Sequence, residues 1–137
     1  MIFDFKRFLE EKRAWYKNVG EVYCPILKEW VVFNSRGFYH LRYDTNGKSR
    51  SIAEQIYKLR LLPLVIPVIK NAVSVFDYKK DQYSEKSGEH YEIWELRHNA
   101  GKQNPTNVSV VLKRIGNGKI AFFSDYDRKI KTKKPSQ

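Results

Sequence analysis

At Val73 the hydrophobic pattern of this chain changes period, and that change limits the folds open to it. Before Val73 the apolar residues follow helical spacing. Phe5, Phe8, Leu9, Trp15 and Tyr16 recur at steps of about three and four, which predicts an amphipathic helix over residues 4–17 that ends near 18–20. Ser51 with Glu54 three positions on is a capping box, and Ile52, Ile56 and Leu59 follow on one face, so 51–62 is a second helix. Pro63 stands where a new helical segment can begin, and 64–72 continues as a kinked extension. After Val73 the period is two. Residues 73–78, 91–97, 108–114 and 119–126 read as strands, 115–119 joins the last two as a hairpin, and 79–89 and 99–107 are polar loops.

Helices followed by strands is the α+β pattern: N-terminal helices packed on one face of a twisted antiparallel sheet whose other face is left for a task. The stretch between the first two helices is harder to read. Residues 30–33, WVVF, form a short β-type run after Pro25, 34–37 is a turn, 38–44 reads as another strand, and 44–47 turns again. The organisation is an N-terminal helix over 1–18, an α+β core over 19–127 and a flexible basic tail over 128–137.

A chain of 137 residues is one domain's worth, and its apolar fraction of 42% is that of a globular protein. Cys24 is the single cysteine, so no internal disulfide or thiolate metal cluster can form, and a reducing, cytoplasmic compartment is expected. The N-terminus alternates charged and apolar residues unlike a signal peptide, and the longest apolar run, LLPLVIPVI, is too short to span a bilayer, so no membrane partner is expected. Twenty-six Lys and Arg against fifteen Asp and Glu leave a net charge of +11, which attracts polyanions and releases counterions on meeting phosphate. Nucleic acid is the first partner to consider, and an acidic antitoxin or immunity protein is another that such a surface admits.

The richest chemistry lies in FNSRGFYHLRYDTNGKSR, residues 33–50, where His40 stands among Arg36, Arg42, Lys48 and Arg50. On a strand, His40 and Arg42 would project from one face; in a helical turn that shared face is lost. Such a pair suits RNA cleavage without metal: a base takes the 2′-hydroxyl proton, cations stabilise the phosphorane, and an acid protonates the departing 5′-oxygen. Histidine titrates near neutral pH and can fill either proton-transfer role. Lys48 and Arg50 open the capped helix, where anions are already favoured. In the C-terminal hairpin, alternation puts Arg114 at the end of an apolar face and Ser124 within another, with Lys113 beside them.

Other groups carry less. His90 and His98 lie without a metal-ligand spacing, Asp125 and Asp127 only superficially resemble a carboxylate pair, Cys24 before Pro25 reads as a buried structural thiol, and the sequon at Asn107 has no role in a cytoplasmic protein. No cofactor is expected.

Three segments, CPILKEWVVFNSRGFYHLRYD, GKSRSIAEQIYKLRLLPLVIPVI and VSVVLKR with a closing FFSD, together resemble the small nucleases of the barnase, EndoU, colicin and RelE-like superfamily, in particular their phage and mobile-element branch. The resemblance runs from about residue 19 to 127. It implies a metal-independent endoribonuclease, a toxin or mobile-element effector, with helices on one side of a twisted sheet and transfer or messenger RNA on the other. It implies His40 as acid or base, Lys48 and Arg50 holding phosphate, and Arg114 and Ser124 completing the site. The catalytic set expected is therefore His40, Arg50, Arg114 and Ser124, and Arg36, Arg42, Lys48 and Lys113 are expected to hold substrate. Two other readings fit the same composition: a nucleic-acid-binding module that stacks bases on aromatics such as Tyr91 and Trp94, and an interaction protein whose charge meets an acidic partner.

Overall fold

Asp4 accepts a hydrogen bond from the amide of Arg7 at 3.1 Å and so caps the first helix, α1 (Phe5–Val19). In the computed structural model, which describes residues 3–101 and 106–128, the order continues β1 (Glu21–Cys24), β2 (Glu29–Val32), α2 (Ser35–Arg42), α3 (Ile52–Asn71), β3 (Val75–Ser84), β4 (Glu89–Ala100), β5 (Thr106–Ile115) and β6 (Ile120–Arg128). The tail beyond residue 128 lies outside the described residues. The fold is α+β, with the helices packed against a six-stranded sheet of order β1-β2-β6-β5-β4-β3.

Four features differ from the sequence reading. The sheet is mixed, because β2 runs parallel to β6 through Val31↔Ile120 and Val32↔Ala121 while the other neighbours are antiparallel. Residues 21–24 supply an edge strand that four residues of pattern do not advertise. Lys79 to Ser84 prolong β3, so only the tip of the expected polar loop turns. Residues 38–44 are not a strand: Asn34, which reads as part of a turn, accepts from the Gly37 amide at 3.3 Å and starts a helix whose Phe38 and Leu41, three apart, are buried. His40 and Arg42 therefore do not share a face.

Helix α3 begins as the capping box predicts, with Ser51 Oγ accepting from the Glu54 amide at 3.1 Å. It runs through Pro63 and Pro67 as one assigned helix, and Leu59, Leu62, Val65, Val68 and Ile69 bury its core side. Ser51→Ala is expected to cost about 1 kcal/mol, the usual worth of such a cap, read as a lower midpoint in urea with unchanged slope.

Strand alternation gives the sheet two unlike faces. Val22, Val31, Trp94, Leu96, Val110, Leu112, Ile120 and Phe122 are buried together with the helix side chains. Trp94, on this covered face, is only 8% exposed and so is no stacking platform. The opposite face carries Tyr23, Trp30, Tyr91, Ile93, Lys113 and Ala121, all partly or well exposed. Cys24 is a buried free thiol, and among the described residues no helix is long and apolar enough to cross a membrane.

Candidate functional site

The register of β5 and β6 slips between Val111 and Leu112, which pair with Ser124 and Phe122, so Phe123 is left as the extra residue of a β-bulge. Plain alternation puts Phe122 and Ser124 on one face. The bulge moves Ser124 to the open face, beside its partner Val111, and leaves Asp125 on the covered one opposite Val110. Because β2 pairs with β6 only at Ile120 and Ala121, the edge of β6 beyond those residues is met by α2 and the start of α3.

That seam gathers the candidate site. The His40 ring lies 4.2 Å from the Phe123 ring centroid to centroid, and Lys113 Nζ stands 4.9 Å from the same ring. Arg50 Nε donates to the carbonyl of His40 at 3.0 Å, which ties the start of α3 to the middle of α2, and Arg50 also pairs with Glu54 at 3.3 Å. Arg36 reaches across the open face to Glu89 on β4 at 3.4 Å. Lys58 donates to Ser124 Oγ at 3.3 Å and to the carbonyl of Asp125 at 2.9 Å. His40, Arg36, Arg50, Lys113 and Ser124 thus come to one seam, joined by Lys58.

Charge and burial set the protonation states. Burial, and then repulsion from Lys113, Arg36 and Arg50, push the His40 imidazole down to about 4, and its Nδ1 is buried with no hydrogen-bond partner among the described residues. His40 is therefore neutral at pH 7. Burial also lowers Lys113, with Arg36 adding repulsion and Glu89 opposing it. Lys58 is lowered by burial against the pull of Asp125. Asp125 is fully buried with neither carboxylate oxygen partnered among the described residues, and burial pushes its carboxyl above the ordinary range although Lys58 works against the shift. Asp125 and Lys58 thus place a buried carboxyl and a partly buried amine beside Ser124.

The other three expected site residues lie elsewhere. Arg114 shares the covered face with Leu112, where its guanidinium pairs with Glu29 and, at 3.6 Å, with Glu92, over the ring of Trp94. Register and the bulge keep it from Ser124: Arg114 pairs with Ile120 while Ser124 lies beside Val111, three residues along β5, and the bulge turns Ser124 to the other face. Arg42 donates to Gln55 at 3.1 Å and lies over Tyr43. Lys48 sits on an exposed turn fastened by Asp44, which accepts from the amides of Asn46 and Lys48 at 2.9 Å each.

Sequence reading missed Lys58, Phe123 and the carboxylate pairings. Lys58 looks like an ordinary polar position of an amphipathic helix, and its contact spans 66 residues. Farther along the open face Glu95 and Arg97 pair at 2.7 Å; burial alone would raise Glu95, but hydrogen bonding with Tyr126 and Arg97 and the charge of Arg97 bring it below the ordinary range. Among the described residues no group of three His, Cys, Asp or Glu side chains is placed to hold a metal ion. No protein-family model, curated protein or solved structure matches this chain.

Proposed function

We propose that this chain is a metal-independent endoribonuclease that cleaves transfer or messenger RNA at the seam of α2, α3 and β6, in the manner of a toxin or mobile-element effector. The observation that carries the reading is a histidine packed among cations: His40 against Phe123, with Lys113 over the same ring and Arg36 and Arg50 near enough to add their repulsion. An imidazole held unprotonated at neutral pH is ready to accept a proton, and the cations that hold it so are the groups a phosphodiester needs.

In this mechanism His40 takes the proton of the ribose 2′-hydroxyl as its oxygen attacks phosphorus. Arg50 and Arg36 face the charge that builds on the non-bridging oxygens. The bond from phosphorus to the 5′-oxygen breaks, Lys113 supplies the proton to that oxygen, and a 2′,3′-cyclic phosphate remains. Lys113 suits the role because burial and Arg36 weaken its hold on the proton. A bound phosphate neutralises part of the local positive field, so the basicity of His40 rises as the substrate enters. Lys58 holds Ser124 in place behind the site.

Incubating the purified protein with total RNA in excess EDTA tests the reading. Discrete fragments ending in cyclic phosphate are the expected result. A requirement for added Mg²⁺ or Mn²⁺ would contradict it. Tyr23 and Trp30, 40% and 54% exposed with ring centroids 5.4 Å apart on the open face, favour a second reading as a non-catalytic RNA-binding module, for which the same incubation yields bound but intact RNA.

A further inference from the structure

Between α1 and α2 lies a cavity of about 390 Å³, floored by Phe38 with Tyr39 and Tyr43 in its wall and lined by the cations Arg13, Lys17 and Arg42. Tyr39 and Tyr43 are stacked at 4.5 Å with planes 21° apart, and Arg13 lies 5.3 Å over the Phe38 ring. Among the described residues no carboxylate lines it. Apolar aromatic walls with cations among them suit a flat, uncharged ring attached to an anion.

The cavity is joined to the candidate site. Ser35 and Tyr39 line both it and a shallower depression that also takes in Asn34 and Arg36. Asn34 and Arg36 in turn line a third hollow, which contains Lys113 and Phe123. Shared lining residues thus link the three hollows in series, from Arg13, Lys17 and Arg42, past Arg36, to the Phe123 ring that His40 packs against.

The geometry points to this cavity as a base-binding subsite for single-stranded RNA, taking a nucleobase against the Tyr39 ring, which Tyr43 backs, while its phosphate lies along Arg36 and a neighbouring nucleotide reaches His40. The assignment rests on the ribonuclease reading for its direction, since it puts a recognised nucleotide beside the scissile one. Stacking on tyrosine tolerates any base, and the surrounding cations add affinity that falls with salt. Tyr39 is 45% exposed, so it can meet a ligand and be replaced without opening the core.

Short 2′-O-methyl oligoribonucleotides, which cannot be cleaved through the 2′-oxygen, test it by equilibrium binding with 2-aminopurine walked through each position. One position is expected to be strongly quenched. Tyr39→Ala should restore its fluorescence and weaken binding about tenfold, whereas Tyr39→Trp should keep both. Lys17→Glu should weaken binding and flatten the dependence of log K on log salt. Quenching at no position, or equal binding and quenching in Tyr39→Ala with a wild-type circular dichroism spectrum, overturns the subsite, as does Tyr39-dependent capture of an acidic aromatic peptide in preference to the oligonucleotide. Because no cleavage is measured, loss of the subsite leaves the nuclease reading standing if cyclic phosphate ends are found, and failure to find them leaves a demonstrated subsite standing.

Discussion

His40→Ala is expected to slow RNA cleavage by about 10²-fold or more, the usual worth of a positioned general base, with only a small change in RNA affinity. The asymmetry follows from charge. A neutral imidazole contributes little to holding a phosphodiester in the ground state, whereas Arg36, Arg50 and Lys113 remain in place to hold it. The substitution removes the 4.2 Å ring contact with Phe123 but leaves the Arg50 bond to the residue 40 carbonyl, because that acceptor belongs to the backbone. A folded variant that binds but does not cleave is therefore the predicted phenotype. Single-turnover cleavage and equilibrium binding of an uncleavable oligonucleotide check the two halves separately.

Gly37→Ala is expected to destabilise the fold by about 1–3 kcal/mol, the range for forcing extra volume into a packed site. A Cβ on Gly37 would lie 2.5 Å from the carbonyl oxygen of Phe122 and 2.5 Å from the hydroxyl of Tyr16, nearer than real Cβ contacts come. The Tyr16 hydroxyl is not free to leave, since it donates to the Asn34 carbonyl at 2.6 Å, and the Phe122 oxygen belongs to a strand. Helix α2 must then shift away from β6, and that cost exceeds the gain of about 1 kcal/mol that alanine brings to a helix interior. Arg36 and His40 ride on the same helix, so cleavage should fall together with stability. Chemical denaturation alongside the cleavage assay measures both, and unchanged stability would show that α2 does not need this close approach.

The helices at 4–17 and 51–62 and the four C-terminal strands were legible because each repeats its period over several turns or pairs, and the capping box at Ser51 and Glu54 marks its own boundary. The stretch 35–42 was not. It is eight residues long, apolar and aromatic side chains occupy both candidate periods, and what decides for the helix is the Asn34 side chain bonding the Gly37 amide, which a turn would also allow. The parallel pairing of β2 with β6 is likewise set by tertiary contacts across almost ninety residues of chain, as in Val31↔Ile120.

Part of the candidate site was visible in the same uneven way. His40 and Arg50 lie close in sequence, and the structure keeps them together. Arg114 and Ser124 depend on counting alternation through a hairpin, and one extra residue at Phe123 reverses the face of everything after it. Lys58 and Asp125 had no signature at all, since an unpartnered buried carboxylate is defined by what surrounds it rather than by its neighbours in sequence. Nor could composition foresee the protonation state of His40: a histidine in a basic stretch reads as one that titrates near neutrality, and only its packing on Phe123 with the crowding of three cations moves it down to about 4.

Whether His40 is the general base is read from its displaced titration, through the pH dependence of kcat/KM for RNA cleavage in EDTA by the wild-type protein and by His40→Ala. Above a pH of about 4 His40 is unprotonated in the free protein and able to act as base, so the rate should hold steady through neutrality and fall as the pH drops through about 4. A second fall should come at alkaline pH as Lys113 loses its proton, below the ordinary lysine range. His40→Ala is expected to remove the acidic limb together with most of the rate. Cleavage by folded His40→Ala at the wild-type rate, with the acidic limb unchanged, would contradict it.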